Sequence, residues 1–381
     1  VPRFARGAFS HGGERYGTAI EAVRRATARR SKADKLRGGD MEIFVSGATG
    51  RVGGVLSAAL MQRGHKVRTI AIAGDANRAA TEAAGIRCHT GSLANFEDVA
   101  KVADGVDAVF HMAAVISFQP TARDLLWDVN VVGTYNVLQA AAAESQKRQV
   151  RMVFASSDQV YPTRFARYRP TDENHPREPY AFYGLSKVLG EDMVKFYHRT
   201  EKSLDISTAV FSHTEAAREL IDPNGEYAGP AFYVNSRVRS LKASSTHHAG
   251  ATSNSELAQV LAVLEPLVSP DEPLLLAMDA NGIPHTQELV DVRDIVQGLL
   301  LIFDKPEAIG ETFNLAPTSP VSLGEFIPYL AKKTGRRVVE ATIPVELGRT
   351  HGSGAKARAL LGYAPRYSMF DMVDEAVAAA S

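Results

Sequence analysis

The sequence contains one cysteine, Cys88, and one tryptophan in 381 residues. A single thiol excludes an internal disulfide and any zinc or iron–sulfur site built from several cysteines. It fits a reducing compartment, so a cytoplasmic protein is expected. There is no run of about 18 apolar residues, so no membrane-spanning helix is expected. An excess of one charge is missing as well, because 43 Lys and Arg face 43 Asp and Glu. Without a net field nothing global attracts nucleic acid or an anionic membrane, and neither is expected as a partner. Histidines at metal-ligand spacing are also absent; His247 and His248 are adjacent in a Ser/Thr-rich stretch. No metal is expected.

What is present is ordinary globular composition, 45% hydrophobic and 23% charged, enough for a large α/β domain with a smaller lobe. Residues 1–40 are rich in arginine and read as an extension outside the fold, with a basic targeting leader as the alternative. Folding is expected to begin at Met41, so removal of 1–40 should leave an active protein. Short apolar runs follow at Met41–Ser46, Val67–Ala73, Gly85–His89, Asp107–Met112, Arg151–Ala155 and Ile206–Phe211. Helical patterns separate them at Val55–Arg63, Phe96–Ala103, Leu125–Ala143 and Tyr180–Tyr197. Strands alternating with helices predict βαβ units, and near-continuous apolar strands predict a parallel sheet covered on both faces. The alternation lapses over 212–285, with a helix near Ser255–Leu264 and a polar loop at Ser244–Ser255. It resumes with a helix at Asp294–Phe303, a strand at Thr312–Leu315 and a helix at Leu323–Lys333.

Three motifs carry chemistry. Gly47-Ala-Thr-Gly50-Arg51-Val52-Gly53 lies between a strand and a helix. Its glycines allow a tight turn and close approach of a pyrophosphate to the helix N-terminus. Tyr183 and Lys187 are four apart, hence on one helix face. A free tyrosine, with pKa about 10, is a poor base at neutral pH. A neighbouring ammonium favours its phenolate and fits it to exchange a proton with a substrate oxygen. Tyr329 and Lys333 repeat this spacing without supporting partners and are read as a chance match. Ser156-Ser157-Asp158 ends the strand Arg151–Ala155, where ligands of parallel sheets bind.

Together these pieces resemble the NAD(P)-dependent epimerase/dehydratase family, the extended branch of the short-chain dehydrogenases/reductases. The matching segments run in order. They are GATGRVG at 47–53, VDAVFHMAA at 106–114, NVVGTYNVLQAA at 130–141, FASSDQVY at 154–161 and YGLSKVLGE at 183–191. VDVRDIVQGLL at 290–300, GETFNL at 310–315 and KARALLGYAPRY at 356–367 follow. The resemblance spans 41–381 and is poor over 212–285. It implies a doubly wound, Rossmann-type α/β fold with a smaller C-terminal substrate lobe. Residues 41–211 would be the NAD(P)-binding domain, and 212–381 a mixed region holding the lobe and returning core elements.

The resemblance makes Tyr183 the acid/base, Lys187 the ribose ligand that tunes it, and Ser157, ahead of Ser156, the hydroxyl partner. Asn130 would support the active-site helix. Gly47, Gly50, Arg51, Val52 and Gly53 would line the pyrophosphate, Ser92 and Leu93 the adenine, and Met112, Ala113 and Ala114 the length of the cofactor. The family's acid at the end of the second strand is missing, since Ala71 stands there. This leans the expectation toward NADP, with Arg51 or Arg78 reaching the extra phosphate; the alternative is that Asp75 curls back and selects NAD. The Arg and Asn that sugar-nucleotide enzymes carry after the sixth strand are replaced by Thr208–His213. Asp158, His213, Arg237 and Arg239 are the candidate substrate contacts. The expected activity is epimerase or dehydrogenase chemistry at a secondary alcohol or ketone of a carbohydrate-like small molecule, in a homodimer. The alternatives are an NADPH-dependent reductase of an apolar or aromatic ketone, using Phe118, Trp127, Phe182 and Phe232, and a cofactor-sensing regulator.

Overall fold

The computed structural model describes residues 40–225, 231–243, 254–344 and 351–380. Most of the N-terminal extension, and the polar loop with His247 and His248, lie outside the described residues. The chain enters through strand β1 (Glu42–Ser46), helix α1 (Arg51–Gln62), β2 (Lys66–Ala71), α2 (Arg78–Ala83), β3 (Arg87–Thr90) and α3 (Phe96–Ala103). Strand β4 (Ala108–His111) leads to one long helical run: α4 (Arg123–Leu126), a π turn (Trp127–Val132) and α5 (Gly133–Ser145). Then come β5 (Val150–Ser157), α6 (Phe182–Thr200) and β6 (Leu204–Phe211).

Local chemistry accounts for the boundaries. In α3 the Asn95 side chain accepts from Asp98 N, Glu97 and Asp98 lie in the first turn, and Lys101 lies in the last. Cap and charges thus all complement the helix dipole. The central strands are largely apolar because both faces are covered, whereas the edge strand β3, Arg87–Thr90, is polar and mostly exposed. Ile43, Val45, Phe110, Val153 and Phe313 enter one core cluster, and Phe44, Val109, Met152 and Phe154 enter another.

Beyond β6 come β7 (Thr214–Glu215), α7 (Val234–Ala243), α8 (Asn254–Leu264), β8 (Leu274–Met278), β9 (Val290–Asp291) and α9 (Val292–Asp304). Strand β10 (Thr312–Leu315), α10 (Leu323–Thr334), β11 (Val338–Thr342) and α11 (Met369–Ala380) complete the order. Seven strands form one parallel sheet in the order β10-β6-β5-β4-β1-β2-β3. The order reverses between β1 and β4, which opens a crevice at their carboxyl ends. The parallel pair β8 and β11 builds a second, smaller body with α10 and α11 around Phe232, Phe326 and Met372.

Candidate active site

β1 ends at Ser46 and the chain turns sharply into α1. Gly47 has φ +75°, and a Cβ at Gly53 would lie 2.1 Å from the Gly47 carbonyl oxygen. Turn and helix are therefore in contact that no side chain can enter. The first turn of α1 carries no acidic residue, so its free N–H groups and positive dipole end face the crevice without competition. A dinucleotide's pyrophosphate fits this cradle.

The crevice is a cleft of about 390 Å³. Gly47, Gly50, Arg51, Val52 and Gly53 line one end. Ser92 and Leu93 line its side, where Asn136 Nδ2 donates to Leu93 O at 2.8 Å and Asp98 accepts from Ser92 N at 3.1 Å. Met112, Ala113 and Ala114 run along it to Tyr183 and Lys187. Every cofactor residue expected from the sequence thus lines one cavity.

Asp75 also lines the cleft. Thr49 Oγ1 donates to its Oδ2 and Asn77 N to its Oδ1, both at 2.9 Å. The signal for this return was Gly74, whose φ of +81° turns the chain back after β2. The two arginines considered for a phosphate are committed elsewhere. Arg51 donates to Glu219 Oε1 at 2.9 Å and to Thr214 O at 2.8 Å. Arg78 donates to Glu82 at 2.8 Å, to Cys88 O at 3.2 Å and to Thr90 Oγ1.

Tyr183 and Lys187 project from the start of α6 and are 6% and 4% exposed. A Cβ at Gly184 would lie 2.2 Å from Gln159 O, so α6 is pressed onto the turn that follows β5. Lys187 Nζ donates to Ala155 O at 2.8 Å. Burial lowers the Lys187 ammonium to a pKa of about 8, with the Glu191 carboxylate opposing. The Phe118 ring meets Tyr183 edge-on, with 6.2 Å between centroids. Asn130, in the π turn, donates Nδ2 to Ser186 Oγ at 3.1 Å and so touches α6.

The two serines at the end of β5 diverge, as successive strand residues must. Ser156 is among the residues lining the cleft, but its hydroxyl is turned to Glu191. Ser157 donates to Asp158 Oδ1 at 3.2 Å and accepts from Gln159 N at 3.3 Å. Past it a separate polar pocket opens, lined by Asp158, Arg169, Ser212, Glu288, Asn314 and His351 among others. Burial raises the pKa of both Asp158 and Glu288. His213 lies just past β6, its Nε2 2.8 Å from Glu215. Burial alone would lower its pKa, but Glu215 and Asp158 outweigh burial and raise it.

Arg237 and Arg239 line neither cavity. Arg239 instead donates to Ser236 Oγ at 2.7 Å and lies 3.6 Å from Glu272. Tyr329 and Lys333 are far from the cleft lining and share Asp374, each at 2.6 Å. The four aromatic side chains considered for an apolar pocket do not converge: Phe232 is fully buried in the smaller body, while Trp127 is 47% exposed.

The model of the NAD dependent epimerase/dehydratase family matches residues 43–316. A short-chain dehydrogenase/reductase superfamily protein from Agrobacterium tumefaciens, solved with bound NAD, is 34% identical. It superposes with a TM-score of 0.78 over 89% of this chain and 97% of its own. A putative UDP-glucose 4-epimerase of Methanocaldococcus jannaschii is 33% identical over 149 residues, 38% of this chain and 44% of its own length. A uronate dehydrogenase of Pseudomonas syringae is 32% identical over 155 residues, 41% of this chain and 53% of its own length. The match thus spans about half the length of these curated relatives. With the glycine cradle, the parallel sheet and a family match over most of its length, the chain belongs to the NAD dependent epimerase/dehydratase family.

Proposed function

We propose that this protein carries out redox chemistry, as a dehydrogenase or an epimerase, at a secondary alcohol or ketone of a sugar or sugar acid, with Tyr183 as acid/base. The observation that carries the reading is the buried Tyr183–Lys187 pair at the inner end of a glycine-walled cleft. NAD, when bound, supplies the hydride acceptor or donor. The protein's residues handle the proton: the Tyr183 oxygen takes it from the substrate hydroxyl on oxidation and returns it on reduction. The Lys187 ammonium favours the phenolate. The Ser157 hydroxyl holds the substrate oxygen toward Tyr183, and Asn130 steadies α6.

In the structure a polar substrate is supported only by the polar character of the side chains past Ser157, which enclose a small pocket of about 20 Å³ and largely bond one another, Ser212 to Glu288 among them. The uronate dehydrogenase similarity supports a sugar acid in particular. The apolar-ketone reading has only Phe118 at the catalytic tyrosine to support it. A purely cofactor-sensing role would have no use for the buried pair. Asp75, held by Thr49 in the cleft, supports NAD over NADP, because its carboxylate repels a 2′-phosphate. This reverses the lean drawn from Ala71. In this reading 41–211 is the cofactor domain and 212–381 carries the substrate lobe.

A cytoplasmic homodimer completes the proposal. Leu125, Trp127 and Tyr135, on the run from α4 to α5, and Leu185 and Phe196, on α6, are exposed apolar side chains suited to a second copy. Light scattering on the purified protein reads that state, and a monomer at micromolar concentration rejects it. The function is tested with a panel of sugars, sugar acids, nucleotide sugars and aromatic ketones, following cofactor absorbance and product stereochemistry. Turnover confined to aromatic ketones overturns the carbohydrate reading.

A further inference from the structure

A line of buried hydrogen bonds leaves the end of β1 and arrives at the first turn of α6. Ala113 N donates to Ser46 Oγ at 3.2 Å. Ser46 Oγ lies 2.6 Å from His111 Nδ1, and His111 Nε2 lies 2.9 Å from Thr134 Oγ1. The Thr134 hydroxyl donates to Asn130 O at 2.6 Å. The Asn130 side chain then donates to Ser186 Oγ at 3.1 Å, and the Ser186 hydroxyl donates to Tyr183 O at 2.6 Å. Asn130 also clamps the segment after β4, accepting from Val115 N at 2.8 Å and donating to Val115 O at 2.9 Å. Ser46, His111, Asn130, Thr134 and Ser186 are each 3% exposed or less.

The direction of the line follows from counting hydrogens. A threonine hydroxyl has one hydrogen, and here Asn130 O takes it. Thr134 Oγ1 must therefore accept from His111, so Nε2 carries the ring hydrogen. Nδ1 is left as an acceptor, and the Ser46 hydroxyl donates to it. Each hydroxyl in the line both donates and accepts, so no hydrogen is unspent.

We propose that His111 is a positioning residue for the reaction: through Thr134 and Asn130 it fixes the first turn of α6, and with it Tyr183, relative to the cofactor turn that begins at Ser46. The proposal rests on the acid/base role of Tyr183 given above. Only the neutral ring serves, because an imidazolium would donate at both nitrogens and strand the Ser46 hydrogen. Burial, reinforced by the nearby Lys187 charge, lowers the His111 pKa to about 3. The link thus stays intact across the working pH range and leaves the Lys187 ammonium unopposed by a second cation.

The test has two arms. In the first, Thr134→Val breaks the line at nearly constant shape, Thr134→Ser restores it, and His111→Gln keeps one donor and one acceptor where His111→Leu keeps none. For any substrate the wild type turns over, Thr134→Val and His111→Leu should lower kcat by about tenfold or more, as expected when a reacting group is misplaced. KM and the calorimetric Kd for NAD should stay within about twofold, and Thr134→Ser and His111→Gln should recover most of kcat. Wild-type kcat in Thr134→Val, or a loss that Thr134→Ser does not recover, overturns the proposal. In the second arm, ¹⁵N NMR of the wild-type imidazoles needs neither substrate nor variant. His111 should carry its proton on Nε2 from pH 5 to 9, and a proton on Nδ1 or a titration in that range overturns the line. If no panel substrate is turned over, the sugar reading fails while the NMR result still decides the direction of the line.

Discussion

Ser156 donates its hydroxyl to the Glu191 carboxylate at 2.6 Å, and both side chains are buried. The neighbouring Ser157, which lines neither cavity and donates to Asp158 at 3.2 Å, is the hydroxyl proposed to hold the substrate oxygen. Ser157→Ala is expected to lower kcat about a hundredfold, as for loss of a positioned donor. Ser156→Ala should act instead on stability, costing about 1–3 kcal/mol because a buried carboxylate loses a donor. Turnover and urea unfolding of both variants check the assignment; the opposite ranking in kcat would mean that Ser156 is the substrate hydroxyl.

Tyr183→Phe removes only the oxygen to which the proposed function gives the proton exchange. Turnover should fall by about two to four orders of magnitude, while NAD still binds, because the glycine turn and Asp75 are untouched. Activity assays and calorimetry separate the two effects. A mutant near wild-type activity would transfer the acid/base role to another residue.

The burial of Lys187 has a consequence for stability against pH. Its pKa falls from 10.5 to about 8 on folding. Below pH 8 both states are protonated and the folded state bears the full cost of the buried charge. Between about 8 and 10.5 the unfolded chain binds more protons, so stability rises with pH in that window. Lys187→Met cannot titrate there. The stability difference between Lys187→Met and wild type should therefore shrink by about 2–3 kcal/mol from pH 7 to pH 10. Urea titrations across that range measure it, and a constant difference would mean the ammonium is not desolvated.

Asp75→Asn removes the charge proposed to repel an adenosine 2′-phosphate while keeping the acceptor for Thr49. NADP binding should strengthen about tenfold relative to NAD, from the loss of like-charge repulsion. Cofactor titrations by fluorescence report the ratio. An unchanged ratio would assign the choice of cofactor to some other part of the cleft.

The sheet was legible because its signal is local. Phe96–Ala103 and Thr312–Leu315 coincide with their apolar patterns at both ends. The glycine turn was legible because few other residues tolerate such contacts. The smaller body was not, because β8 pairs with β11 across more than sixty residues of sequence, within which the chain returns to the main sheet through α9 and β10. The residues expected along a cofactor do line one cleft, but their hydrogen-bond partners could not be read from position. Nothing around Arg51 announces Glu219, and nothing around Ser212 announces Glu288, which accepts its hydroxyl at 2.8 Å. For the same reason Arg239 could not be told from a ligand-site residue until Glu272 was seen beside it. The π turn was invisible as well, since the helical pattern over Leu125–Ala143 runs straight through it.

That turn, Trp127–Val132, is a widened turn inside one long helix. It carries more residues per turn than the helix on either side, and each residue advances an α-helix by about 100°. Losing a single residue here would turn the widened turn into an ordinary α turn and leave the two flanking helices nearly in phase, so the change would fall on the turn itself. Asn130 could no longer face both Val115 and Ser186. The segment should therefore accept many substitutions at an exposed polar position such as Asp128, yet resist any insertion or deletion. Its constraint lies in its length more than in its letters.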